Sequence, residues 1–319
     1  MPRPRQRQPR FDVSHAPELA AAWKYSAACL QQIELAISEC LPEFVACVAV
    51  SGSLARMEAH FGSDIDLIIV VDDRHRQVTE AEAGDIVDAV WNRLDALGAV
   101  RPKPGGIFSV CARWKCLVDD ASKGRIDESI VTFGHRLQLL MDAQPVTSSA
   151  QFAEIQKDIL RWYSETRLPA LFNESGPFHW LWQDVHRYWR SLRSRTCWLN
   201  ADDAQKSLAL NVKLRSSRLI LIFAFLKTLQ QYQEAHLSLD EIIDRIVTSL
   251  HRTPAERLLG QSESLGSWNT VWDFLRATAI RPTADLPDDV RCALGQIAET
   301  VEGMIEGAAQ EGRTRPWLM

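Results

Sequence analysis

An α+β domain followed by an all-helical one is the fold class this chain predicts, and three observations predict it. Two short apolar runs, residues 45–50 and 67–71, are rich in β-branched residues and bounded by polar turn residues, as buried strands are. Up to about residue 145, helical periods alternate with such runs. From residue 148 onward every strong pattern is helical in period.

The elements follow in order. Residues 16–41 form an amphipathic helix, the two strands come next, and 78–97 repeats apolar residues at helical spacing. Residues 101–106, with two prolines and two glycines, make a turn. Residues 107–110 and 114–118 are short apolar runs read as strands, the second open to a helical reading; 132–141 is a helix. The helical part comprises 149–167, 178–199, 204–232, 239–250, 264–280 and 287–308. The expected organisation is a basic disordered tail over 1–15, an α+β domain over 16–145 and a helical domain over 146–319.

Composition narrows the classes. The chain has 319 residues, 46% hydrophobic and 24% charged, which suits a globular protein of two ordinary domains. No apolar run approaches the roughly 20 residues that span a bilayer; the longest, 219–226, reads as the middle of a buried helix. Arg3, Arg5, Arg7 and Arg10 are followed by no hydrophobic segment, so the start is not a secretory signal. Seven scattered cysteines without paired metal-ligand spacing point to reduced thiols, a cytoplasmic location and no zinc site.

The chemistry concentrates at Gly52-Ser53, ten residues, then Asp64-Ile65-Asp66, between the two apolar runs. Residues two apart on a strand point to one face, so Asp64 and Asp66 are expected side by side with Cα atoms roughly 7 Å apart. Two bare carboxylates at that distance repel by roughly 2 kcal/mol at an effective dielectric near 20. A divalent cation reverses that repulsion, and Mg²⁺ suits carboxylates while keeping positions open for phosphates. A strand–Gly-Ser–helix turn offers backbone N–H groups and a helix N-terminus to a phosphate. A metal site beside a phosphate cradle points to nucleotide chemistry.

Residues 48–56, Val-Ala-Val-Ser-Gly-Ser-Leu-Ala-Arg, with 63–70, Ser-Asp-Ile-Asp-Leu-Ile-Ile-Val, resemble the signature of the DNA polymerase β superfamily of nucleotidyltransferases. The resemblance implies that Gly52 and Ser53 hold a triphosphate and that Asp64 and Asp66 carry Mg²⁺, or Mn²⁺, in catalysis. Three further segments, 124–140, 181–190 and 211–219, resemble a bacterial nucleotidyltransferase group, some of whose relatives make nucleotide signals in antiviral systems. Gln183 stands where that group has Asn, and His135 where it has one of two paired arginines.

A basic zone lies between Arg187 and Arg218 inside a chain of net charge −5, which suggests a polyphosphate or nucleic-acid contact surface. Arg187 and Arg190 share a helix face, as do Arg215 and Arg218. Lys213 and Arg218, five apart, stand about 140° apart on an α-helix and would flank a ligand from two sides. Lys213, Arg218, Arg187 and Arg190 are the expected phosphate contacts, because Arg forks and Lys point charges both bind phosphate oxygens. Trp182, Tyr188, Trp189 and Trp198 could stack on a base, but core packing is the expected role, because five of the eleven Trp fall between Trp162 and Trp198. The third carboxylate that the superfamily uses is assigned to Asp127, chosen from Asp119, Asp120, Asp127 and Glu128.

The resulting expectation is an enzyme of the EC 2.7.7 class that moves a nucleoside monophosphate from an NTP or dNTP to an acceptor hydroxyl, making a nucleotide or oligonucleotide signal in defence. Two alternatives stay open: nucleotidylation of an antibiotic, tRNA or protein, and a catalytically inactive nucleotide-binding or antitoxin-like partner.

Overall fold

The computed structural model describes residues 9–10, 12–164, 177–198, 203–232, 237–260 and 264–310. Arg3, Arg5 and Arg7 of the basic tail lie outside the described residues, as do the predicted helix ends at 165–167 and 199.

The chain is α+β, a mixed four-stranded sheet near the N-terminus followed by helices, as the sequence predicts. It divides into two compact units. Among the described residues, the first comprises 22–162 with 243–253, and the second 9–21, 163–242 and 254–310.

α1 (Pro17–Ile37), which begins in the second unit and runs into the first, leads into β1 (Val45–Ser51), α2 (Gly52–Ala55) and β2 (Asp66–Val71) of the first unit. Then come α3 (Glu80–Asp95), β3 (Ala112–Arg113), α4 (Trp114–Leu117), α5 (Ile130–Met141), β4 (Gln144–Pro145) and α6 (Ser149–Ser164). The sheet order is β3-β2-β1-β4. β1 pairs antiparallel with β2 and β4, and β2 pairs parallel with β3. β1 and β2 are buried almost throughout, which is why both read as continuous apolar runs rather than alternating ones. α3 starts at a capping box: the Thr79 hydroxyl accepts from the Glu82 N–H while the Glu82 carboxylate accepts from the Thr79 N–H.

Two expected elements differ. Residues 107–110 form a 3₁₀ turn, Ile107–Ser109, and only Ala112–Arg113 joins the sheet. Residues 114–118 take the helical alternative because Asp73, just past β2, accepts the Lys115 N–H at 2.8 Å and caps α4 from outside. The turn is held as Trp114 is fully buried, its indole donating to Asp158 at 3.1 Å under the Arg74 guanidinium, 3.5 Å from the ring centroid. β4 escaped the sequence because two residues give no period; its proline sits in an edge strand, where no N–H is needed.

The second unit carries α7 (His179–Trp198), α8 (Ala204–Lys213), a π-helical segment (Leu214–Arg218), α9 (Leu219–Gln231), α11 (Pro254–Leu258), α12 (Ser264–Ile280) and α13 (Asp288–Gln310), while α10 (Leu239–Leu250) runs from this unit into the first. The expected single helix over 204–232 is therefore interrupted. Ser216 turns its hydroxyl back onto the Val212 carbonyl at 2.6 Å, a bond that competes with the helix ladder. The apolar run 219–226, expected in the middle of a helix, is instead the largely buried first part of α9. Among the described residues no helix is long and apolar enough to cross a membrane.

Candidate active site at the Gly52 turn

β1 ends at Ser51, and the chain reverses through Gly52 into the one-turn helix α2. Gly52 has φ +70°, a left-handed conformation that a Cβ disfavours. A Cβ placed there would lie 2.7 Å from Oδ2 of Asp66. Glycine is thus required twice, by the backbone angle and by the approach of a carboxylate. That approach follows from the sheet, since Ser51 and Asp66 are register partners at the joined ends of β1 and β2.

The pair of aspartates is arranged differently from expectation. β2 begins at Asp66, so Asp64 sits in the exposed connection before the strand and the strand-face argument holds for Asp66 alone. α2 is four residues long. The expected helix-terminus contribution is therefore that of a single turn, whose first N–H groups lack intrahelical acceptors.

The turn is anchored by polar side chains the sequence did not single out. The buried Ser51 hydroxyl donates to Gln138 Oε1 on α5. Gln144 donates from Nε2 to the carbonyls of Leu54, at 3.2 Å, and Ala55, at 2.8 Å. Arg56 donates to both carboxylate oxygens of Asp142, at 2.7 and 2.8 Å, and to Glu58 at 2.9 Å. All three of these charged groups are buried. Burial pushes the Arg56 guanidinium down, but Asp142 and Glu58 outweigh it and hold it above its ordinary value. Past the turn, the Ala59 N–H donates to the buried Ser26 hydroxyl of α1 at 3.0 Å. The signal that could have found these groups is faint: polar residues at otherwise apolar positions, Gln138 in α5 and Gln144 in β4.

Asp127 lies in an exposed turn with Arg125, which donates to its Oδ1 at 2.8 Å and holds its carboxyl below the usual range. Of the other candidates, Asp119 accepts from the Ala121 N–H, Asp120 pairs with Lys123 at 2.9 Å, and Glu128 pairs with the buried Arg136. The chain beside β2, just before β3, is the carboxylate-free turn Ile107–Ser109. Among the described residues no group of three or more His, Cys, Asp or Glu side chains is placed to hold a metal ion.

The expected phosphate contacts Lys213, Arg218, Arg187 and Arg190 belong to the second unit. Lys213 ends α8 and Arg218 ends the π segment. A π turn closes from i to i+5, so it draws residues five apart toward one face rather than 140° apart. Arg218 donates to the Tyr188 hydroxyl at 3.5 Å. Arg187 lies 3.5 Å from Asp184, and Arg190 is exposed. Trp182 is buried as expected, Tyr188 and Trp189 are half-buried, and Trp198 stands in solvent instead, 82% exposed.

Residues 11–121 match the family model described as "Putative nucleotidyltransferase DUF294", a span that holds Gly52, Ser53, Asp64 and Asp66 and supports a nucleotidyltransferase assignment. No curated protein and no solved structure matches the chain.

Proposed function

We propose that the Gly52 turn is the active site of a Mg²⁺-dependent nucleotidyltransferase that uses an NTP or dNTP. The observation that carries this reading is the pressing of the Asp66 carboxylate against a left-handed Gly52, where a Cβ would come within 2.7 Å of Oδ2. That contact gathers an acid and an open stretch of backbone into one corner, as binding a metal-bound phosphate requires.

Asp64 and Asp66 would hold Mg²⁺ or Mn²⁺, which when bound neutralises phosphate charge and polarises the α-phosphoryl group. The backbone of Gly52 and Ser53 accepts the triphosphate, and the Ser51–Gln138 and Arg56–Asp142 contacts keep that backbone from relaxing. The acceptor oxygen forms a bond to the α-phosphorus, the α–β phosphoanhydride bond breaks, and pyrophosphate leaves with the electron pair. Asp127, if it takes the acceptor proton, does so as a weak base, because Arg125 lowers its carboxyl. Lys213 and Arg218, drawn to one face by the π turn, are proposed as an anion contact in their own right. Production of a nucleotide signal in a bacterial cytoplasm is the preferred biological version.

A second reading, a nucleotide-binding partner without catalysis, draws on the missing third carboxylate among the described residues. One experiment separates them: incubation with each labelled NTP and dNTP, with and without Mg²⁺ and Mn²⁺. The enzyme releases pyrophosphate only with metal, and Asp64→Asn or Asp66→Asn abolishes release while the folded circular dichroism signal stays. Metal-dependent binding without release supports the partner. Turnover within threefold of wild type in either variant removes the enzymatic reading.

A further inference from the structure

We propose that the exposed face of α7 is a binding surface for single-stranded nucleic acid. The helix turns Leu181, Trp182 and Val185 into the core of its unit and leaves Trp180, Arg187, Arg190, Arg193, Arg195 and Trp198 in solvent. At about 100° per residue, Trp180 and Trp198 are five full turns apart on one line, with Arg187 within about 20° of it. Arg190 and Arg195 fall about 60° and 80° to either side of Arg187, while Arg193, about 120° from it, lies off this face. The face thus carries an indole at each end, about 27 Å apart along the axis, and guanidinium groups between them.

Charge and aromatic placement together define the partner. α7 packs against α8, the π segment and α9. Along these four elements Asp184 is the single acid. It is already engaged, accepting from the Tyr163 hydroxyl at 2.7 Å and lying 3.5 Å from Arg187. Arg190, Arg193 and Arg195 have no ion pair among the described residues. A row of uncompensated guanidinium groups fits a phosphate backbone, and an exposed Trp offers a stacking plane to a base. Bases already stacked in a duplex cannot take that plane, so the surface selects unpaired strands. Trp180, 49% exposed, is set edge-on by the His179 ring at 5.2 Å, which presents one indole at a fixed angle.

The test uses the full chain, fluorescein-labelled 20-mers of oligo-dT and oligo-U, and anisotropy without NTP or metal, so its outcome does not depend on turnover. Binding is expected at 50 mM salt, and it should weaken with salt by about 0.7 in the log–log slope per phosphate neutralised. Arg190→Gln with Arg195→Gln should cut that slope by about 1.4 and weaken binding at least tenfold. Trp198→Ala should weaken it about tenfold with the slope unchanged, and Trp198→Phe should restore most of the loss. Circular dichroism verifies that each variant is folded. The proposal is overturned by absence of binding at 50 mM salt, by affinity unchanged in the folded variants, by a duplex bound as tightly as the single strands, or by preference for phosphatidylserine vesicles over the oligonucleotides.

Discussion

The Gly52 turn and the basic helices hold their polar groups in opposite ways. Around Gly52 the charged and amide side chains are buried and each is tied to a specific partner: Arg56 to Asp142 and Glu58, Ser51 to Gln138, Gln144 to the α2 carbonyls. On α7 the arginines are exposed, and the one acid of that helix is shared between Tyr163 and Arg187. Buried pairs are costly to break and fix geometry, whereas exposed charges contribute little stability and stay available for a ligand. The first region is therefore built to hold a backbone shape, the second to present charge. Substitutions should separate the two, stability falling in one and binding in the other.

The largest expected effect is at Asp142. Asp142→Ala leaves Arg56 buried with Glu58 alone and should cost about 3–5 kcal/mol in urea denaturation. An exposed counterpart such as Arg193→Ala should stay within about 0.5 kcal/mol. Equal losses at the two positions would erase the contrast.

Gly52→Ala comes next. The left-handed backbone alone costs roughly 1–2 kcal/mol, and the new Cβ meets the Asp66 carboxylate. Affinity for a non-hydrolysable NTP should fall at least tenfold by calorimetry. Combining it with Asp66→Ala should restore part of the stability and none of the activity, because the clash is relieved while the carboxylate proposed to hold the metal is lost. Strict additivity in stability would mean that the 2.7 Å approach is not what constrains Gly52.

Lys213→Ala should weaken anion binding. If Lys213 belongs to the proposed anion contact, loss of one charge-assisted bond costs on the order of 1.5–3 kcal/mol, or roughly ten- to a hundredfold in the affinity for inorganic triphosphate measured by calorimetry. Unchanged affinity would remove Lys213 from the proposed anion contact.

The smallest expected effect is a pH dependence. His135 is buried on α5, where burial lowers its pKa, against the contact with the Ile107 carbonyl. A base depressed in the fold stays neutral there while the unfolded chain takes up a proton. Its contribution is therefore present above about pH 6.5 and is lost as pH falls below that value. Melting temperature should drop more between pH 7.5 and 5.5 in wild type than in His135→Gln.

How much of this was legible in the sequence depends on the range of the interaction. β1, β2 and the long helices follow from apolar runs and periods, which are local. The turn was visible because Gly52-Ser53 and Asp64–Asp66 lie on adjoining segments, though the start of β2 at Asp66 was not. Gln138, Asp142 and Gln144 were invisible as supports, since they reach Ser51, Arg56 and α2 across 86 to 90 residues of chain. The π segment was missed because Leu214–Arg218 has ordinary helix formers, and the interruption comes with a side-chain bond from Ser216 to Val212. Trp198 was assigned to the core by residue type, yet its place on α7 leaves it in solvent.

The most direct test of the central claim is pyrophosphate release by wild type and Asp66→Asn, measured side by side across the NTPs and dNTPs with Mg²⁺ and with chelator. The Gly52–Asp66 site predicts release by wild type that vanishes with chelator and falls at least a hundredfold in Asp66→Asn, with both proteins equally folded. Release that survives chelation, or that Asp66→Asn matches within threefold, would contradict it.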